Sequence, residues 1–151
     1  MMKHRVKGKK ADLQTLSTYV KLARASDTVT AVTHKHLARE NLTISQFGVL
    51  EALYHLGSMC QKDVARKILK TTANITTVID NLEKRGLVER VRSTEDRRYI
   101  SLHITPDGAE LVERIFPVHL RGIVESFRVL TAEEQAQLAE LCKKLGLAQK
   151  V

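Results

Sequence analysis

Tryptophan is absent from the 151 residues, proline and cysteine occur twice each, and only six residues are Phe or Tyr. So few aromatics beside abundant Leu, Val, Ile and Ala favour helices over a β-sandwich. Cys60 and Cys142 lie far apart and fit no metal-ligand spacing. A reduced, cytoplasmic protein is the simplest reading. No stretch of about eighteen apolar residues occurs, and the basic start MMKHRVKGKK lacks the apolar run of a signal peptide. Neither export nor a membrane span is therefore expected. Also missing are a nucleophile-base-acid set, a phosphate-cradling glycine loop and paired carboxylates in a plausible cleft, so neither catalysis nor a cofactor is expected. Six histidines raise the question of a metal. His34 and His36 stand two apart and would diverge on a helix, while His4, His55, His103 and His119 are scattered, so no metal site is expected.

What is present is positive charge, unevenly spread. The net charge is +8. Residues 1–10 carry five Lys or Arg and no acid, residues 11–59 balance at four against four, residues 60–105 hold ten basic and six acidic, and residues 106–151 hold six and seven. The excess in the tail and in the 60–105 segment suggests a polyanion partner there. The length suits one domain, or one small domain with an appended oligomerisation element, and is enough to bury a real core.

Periodicity divides the chain into helices and a hairpin. Residues 11–38 read as one long helix, with Leu13, Leu16, Val20 and Ala23 at spacings of three and four. Thr43 with Gln46 is a capping-box pattern opening a second helix that stops at Gly57. A third, about Gln61 to Leu69, places Val64, Ala65, Ile68 and Leu69 on one face. Thr71 or Thr72 caps a fourth that ends at Gly86. Leu87 to Val91 and the alternating run Ile100, Leu102, Ile104 then form a strand pair around the charged turn Ser93 to Arg98. Thr105-Pro106-Asp107 starts a fifth helix carrying Leu111, Val112, Ile115 and Phe116, with a kink expected at Pro117. Thr131 with Glu134 opens a sixth, apolar at Leu138, Leu141, Cys142 and Leu145 and ended by Gly146.

Three helices, a tight connection and a hairpin spell a winged helix-turn-helix, a mainly α fold with a small β wing. In TTANITTVIDNLEKRGL, Ile75, Val78, Ile79 and Leu82 make the buried stripe. Ala73, Thr77, Asp80 and Lys84 lie opposite, flanked by Asn74, Thr76 and Asn81. An outer face that begins with small residues and short hydrogen-bonding groups enters a major groove without steric conflict. An ordinary amphipathic helix would show more Lys and Glu there, and Thr and Asn are mediocre helix formers. The candidate DNA contacts are Thr72, Ala73, Asn74, Thr76, Thr77 and Lys84 from this helix. Arg97 and Arg98 join them from the wing tip, reaching phosphates or a narrow minor groove.

At these residues the chain resembles the MarR family of bacterial winged-helix transcription regulators. The matching elements are LTISQFGVLEAL, KDVARKI, TTANITTVIDNLEKRGLVERV and the wing EDRRYISLHITPDG, in the family's order and spacing, over nearly the whole chain. The stretches LEALYHLG, DNLEKRGLVER and ERIFPVH also look like the family's hydroquinone- and electrophile-responsive subgroup. The resemblance implies a homodimer built from the first helix and the last two, reading a pseudo-palindromic operator as double-stranded DNA. It implies equally a small phenolic or lipophilic effector that relieves repression. On this reading residues 1–10 are a basic tail, 11–40 a dimerisation helix, 41–105 the winged helix-turn-helix and 106–151 the C-terminal dimerisation helices. Two departures stand out: Glu95 replaces a tip Arg of the family's wing, and Cys60 stands where the third helix usually opens with Thr or Ser. Ser58 is the alternative cap. Arg98 matches the family's structural Arg, with Asp96 as its partner in holding the loop.

Tyr19, Tyr54, His55 and Phe116 are the candidate lining of an effector pocket, an apolar wall with a few polar anchors. Each is individually better explained as packing. Cys60 invites a redox- or electrophile-sensing alternative, since a thiol at a helix N-terminus can be activated, although a small residue filling the turn is the plainer reading. Cys142, on the apolar stripe of the sixth helix, reads as core. A further alternative is a winged-helix module that binds protein and reads no DNA sequence; the basic wing and the Thr/Asn-rich helix argue against it.

Overall fold

The computed structural model describes residues 8–68 and 72–149, in which the six anticipated helices and the strand pair follow in the anticipated order, with a 3-10 turn and a short strand added. They are α1 (Lys10–Thr33), a 3-10 turn (Lys35–Glu40), α2 (Ile44–Leu56), β1 (Met59–Cys60), α3 (Gln61–Lys67), α4 (Thr72–Lys84), β2 (Val88–Arg92), β3 (Ile100–Ile104), α5 (Pro106–Phe127) and α6 (Ala132–Leu147). Mainly helical with a small antiparallel sheet, it is a winged helix-turn-helix with flanking helices. Leu69 and Thr71, expected as the end of one helix and a cap of the next, lie outside the described residues, as does the basic tail up to Lys7.

Two compact units emerge, one from the residues up to Thr33 with those from Gly122, the other His34–Arg121. The second holds the core. Phe47, Val49, Leu50 and Leu53 of α2, Val64 and Ala65 of α3, Ile75, Ile79 and Leu82 of α4, Leu102 of β3 and Leu111, Val112 and Ile115 of α5 are all buried together. In the first unit Thr33 is the one buried residue among those described. Its α6 buries no side chain, and Leu141 and Leu145 are 64% and 52% exposed. Leu22, Val29, Phe127, Leu138 and Cys142 line an open groove of about 450 Å³ there. Cys142 is thus on a groove wall rather than in a core, because nothing else in this unit covers that face of α6 among the described residues.

Local chemistry sets the boundaries. Thr43 Oγ1 accepts the Gln46 N–H at 3.1 Å while Gln46 Oε1 takes that of Thr43 at 3.0 Å, closing the capping box of α2. Thr131 and Glu134 do the same for α6. Gly86, at φ +70°, turns the chain from α4 into β2, a conformation disfavoured for any residue with a Cβ. The single helix expected over 11–38 instead ends at Thr33 and gives way to the 3-10 turn. Thr33 Oγ1 bonds back to the Val29 carbonyl at 2.8 Å, and Leu37 turns into the core at 1% exposure. At the other end α6 runs through Gly146 to Leu147 rather than stopping there, and α5 is continuous through Pro117.

β3 is the middle strand of three, in the order β1-β3-β2, all antiparallel. Arg90 faces Leu102, Arg92 faces Ile100, and Met59 faces Leu102 from the other side. The two-residue β1 was not anticipated, and it displaces the expected Ser58 cap. Ser58 Oγ bonds His103 Nδ1 of β3 at 2.8 Å, leaving Cys60 as the N-cap of α3 without a side-chain capping bond.

Candidate nucleic-acid interface

The face of α4 opposite its buried stripe carries Asn74, Thr76, Thr77, Asn81 and Lys84, all exposed. Thr72 and Ala73 open the helix; their side chains fall outside the described residues. Of the stripe that orients this face, Ile75, Ile79 and Leu82 are each at 0% exposure and Val78 packs partly buried against the core. Burying three such side chains is worth about 1.5–3 kcal/mol each, so the helix cannot roll without losing core. Gln61 Nε2 of α3 donates to Thr76 Oγ1 at 2.6 Å, a polar tie between the two helices on the accessible side.

The wing tip is built by its own short side chains. Ser93 Oγ accepts the N–H groups of Glu95 and Asp96 at 3.2 and 3.3 Å, and Asp96 Oδ1 accepts that of Arg98 at 3.0 Å. Ser93 N–H donates to the Tyr99 carbonyl, closing the base of the turn. Asp96 therefore meets Arg98 through its backbone N–H, not its guanidinium. With Glu95, Asp96, Arg97 and Arg98 all exposed, neither arginine's guanidinium forms an ion pair with a described residue. Two cations held on a short, turned loop with their side chains uncommitted can meet a phosphate without first breaking a bond.

Sequence reasoning passed over the root of the wing. Arg90 of β2 bonds Asp80 Oδ1 at 2.6 Å and Glu83 Oε1 at 3.1 Å, and its backbone N–H donates to Glu83 Oε2 at 3.1 Å. A strand Arg carries no signal for a partner ten residues back on a helix. The 3-10 turn produces another unforeseen cluster. His34 and His36, expected to diverge on a helix, both pack against the buried His119, at 4.8 and 5.2 Å between ring centroids, because the turn after Thr33 is not α-helical. His36 Nε2 and His119 Nδ1 hydrogen-bond each other at 3.1 Å, so one carries the proton and the other accepts it. Among the described residues no group of three or more His, Cys, Asp or Glu side chains is arranged to hold a metal.

Of the four effector-pocket candidates, three come together. His55 stacks edge-on against Tyr54 at 5.0 Å and against Phe116 at 5.1 Å, and Tyr54 Oη donates to Glu113 at 3.0 Å. The carboxylate partner holds the Tyr54 phenol above its ordinary pKa. Beside them on α2, burial pushes the Glu51 carboxyl up, partly offset by His55 and His34. Tyr19 belongs to the other unit, where it lines a groove with Gln14, Leu22 and Leu145. Cys60, half-buried, donates its thiol to Asp63 Oδ2 at 3.2 Å. The bond engages the thiol form, whereas oxidation and alkylation go through the thiolate.

Comparison with known proteins gives these features a context. The MarR family profile matches residues 42–100, which span α2, α3, α4, the wing turn and the start of β3. The HTH-type transcriptional regulator MhqR of Bacillus subtilis is 36% identical over 134 residues, covering 89% of this chain and 92% of that protein. The chain belongs to the MarR family. It is accordingly a DNA-binding transcription regulator and not an enzyme. Among solved structures, BpsR of Bordetella bronchiseptica, described for regulation of its DNA binding by 6-hydroxynicotinic acid, superposes with a TM-score of 0.79 at 28% identity, over 86% of this chain and 98% of that one. A mutant MarR of E. coli complexed with operator DNA shares the fold, with a TM-score of 0.77 at 22% identity, over 92% and 99% of the two chains. No helix of the described residues is long and apolar enough to cross a membrane.

Proposed function

We propose that this regulator is a cytoplasmic, homodimeric repressor that reads a pseudo-palindromic operator and is released by a small aromatic effector. Its base contacts come from Thr72, Ala73, Asn74, Thr76 and Thr77, with Lys84 on the backbone and Arg97 and Arg98 at the wing. The observation that carries this reading is the pairing of two exposed wing-tip arginines, whose guanidiniums form no ion pair with a described residue, with an accessible helix face of short hydrogen-bonding side chains. Phosphate contacts position such a protein and base contacts specify its site. The dimer is supported by the apolar surface that the first unit leaves exposed, at Tyr19, Leu141, Leu145 and the groove around Leu138. A twofold dimer then sets half-sites about one helical turn apart, roughly 34–36 Å.

The effector class is supported by the regulation described for BpsR and by the cluster of Tyr54, His55 and Phe116. A ligand relieves repression only if it binds the DNA-incompetent arrangement more tightly than the competent one. A tenfold loss of operator affinity needs about 1.4 kcal/mol of that difference. The test is operator binding, on genomic fragments selected by the protein, titrated with phenolic, quinone and fatty-acyl compounds for the native chain and for Cys60→Ser. Release by a phenol in both proteins is the expected result. Release by quinones alone, and only with Cys60 present, would replace the pocket with covalent sensing at the thiol. No release by any compound removes the effector, and a monomer in sedimentation at micromolar concentration removes the dimer.

A further inference from the structure

An acid on the DNA-facing side of a helix is a liability, and α4 has two. Asp80 follows Thr77 by three residues and precedes Lys84 by four, so it shares their side of the helix, and Glu83 lies one turn beyond it. Unscreened, both would repel the phosphates that Lys84, Arg97 and Arg98 attract. The structure shows what offsets them. The Arg90 guanidinium spans the two carboxylates, bonding Asp80 at 2.6 Å and Glu83 at 3.1 Å. Arg90 is also the least exposed of the three, its side chain at 24% against 48% and 42%. A planar fork with five donors suits one cation to two acids. The backbone N–H of Arg90 adds a bond to Glu83 Oε2, so the cation is held in place from both ends.

We propose that Arg90 is a positioning residue of the DNA interface: by neutralising Asp80 and Glu83 it makes the outer face of α4 compatible with a polyanion. This rests on the reading of α4 and the wing as the DNA-contacting surface. Committed to two carboxylates, Arg90 itself makes no phosphate contact; it acts through the charge it cancels. Asp80 and Glu83 are 48% and 42% exposed, and an ion pair whose acids are open to solvent ordinarily contributes little to folding. The consequence of its loss is therefore electrostatic repulsion of DNA more than unfolding.

The experiment is binding of a labelled random-sequence duplex, measured across a salt series, since non-specific affinity reports phosphate electrostatics. The proteins are the native chain, R90Q, the triple variant D80N/E83Q/R90Q, a charge-matched triple E133Q/E140Q/R90Q that neutralises two acids of α6 instead, and Arg97→Ala. R90Q should bind about tenfold more weakly at low salt, a defect that narrows as the screening length falls below ~10 Å above 0.1 M. D80N/E83Q/R90Q should return to within about threefold of the native protein, and the α6 triple should not. Thermal melts separate folding from binding: the single and both triples should melt alike. Rescue equally good from α6, no rescue at all, or an R90Q affinity equal to the native one would each overturn the proposal. Arg97→Ala keeps its failure apart from that of the underlying reading. If Arg97→Ala weakens binding and R90Q does not, only the role of Arg90 is lost. If neither moves the affinity, the surface itself has been misassigned.

Discussion

Gly108 offers a test of how the base of the wing is held, with a sign opposite to the usual rule. In a helix, replacing Gly by Ala ordinarily stabilises by about 0.5–1 kcal/mol through backbone entropy. At Gly108, in the first turn of α5, an added Cβ would overlap the Leu87 carbonyl oxygen and come within 2.8 Å of Ile104 Cγ1. That carbonyl already accepts the Thr105 N–H at 3.1 Å, while Thr105 Oγ1 donates to the Gly86 carbonyl at 2.6 Å and accepts the Gly108 N–H at 3.1 Å. The overlap is with backbone, so no rotamer change relieves it, and α5 must move off Leu87. Overpacking of this kind costs about 1–3 kcal/mol, with a backbone clash toward the upper end. At about 2–4 °C per kcal/mol for a chain of this size, Gly108→Ala should lower Tm by roughly 3–10 °C. Gly122→Ala is the matched control. Its Cβ would sit in ordinary contact with Thr33 Cα at 3.8 Å, and Tm should hold or rise. Thermal unfolding followed by circular dichroism compares the two directly. Because Leu87 leads straight into β2, Gly108→Ala should also weaken DNA binding. A Gly108→Ala protein that melts at or above the native temperature refutes the packing argument.

Three further outcomes are expected. Asn74→Ala should cost about 1–3 kcal/mol at one operator position and relax the base preference there; operator selection with the variant checks it, and an unchanged preference excludes Asn74 as a reader. Arg97→Ala should lower affinity for all sequences alike and flatten the salt slope by about one unit, whereas a normal slope with lost folding stability would make Arg97 structural. Glu51→Gln should stabilise the protein at pH 7 and do little near pH 4. Burial raises the folded carboxyl above its ordinary 4.5, so the stability associated with the protonated form is complete below that value and is lost as pH rises through the folded pKa. Urea unfolding at the two pH values decides it, and an equal effect at both would remove the burial argument.

What could be read from the sequence was set by how far apart in the chain the deciding groups lie. The capping boxes at Thr43 and Thr131 close over three residues, and their side-chain chemistry leaves little alternative. The stripe Ile75, Val78, Ile79, Leu82 is equally local and faces the core as its period requires, as do Leu102 and Ile104 of the alternation in β3. The misses in β1, the turn after Thr33 and the histidine cluster depend on distant partners. β1 is two residues long and exists because Met59 and Cys60 find Leu102 and Ser101, more than forty positions on. The break after Thr33 serves a core position for Leu37, and the meeting of His34 and His36 with His119 joins segments over eighty residues apart. No window along the chain contains either contact.

The charges of the winged region show the same division in functional form. Counted along the chain, residues 60–105 present ten cations against six acids, and every Arg looks alike. In the fold they separate by neighbour. Arg66 pairs with Asp63, Arg90 with Asp80 and Glu83, and Arg85 donates to the carbonyls of Glu40 and Asn41. Arg97 and Arg98 remain at the tip with their guanidiniums unpaired among the described residues. Asp80 and Glu83 are thus matched near the wing's root, while the charges of Arg97 and Arg98 stand at its end beside the exposed Glu95 and Asp96. A loop that buries almost nothing can present that charge only because its strands are pinned elsewhere: Leu102 at 0% exposure and Val88 at 1% hold β3 and β2 to the helices. Core packing therefore sets where the wing stands, and the short side chains of Ser93 and Asp96 set how its two arginines are displayed.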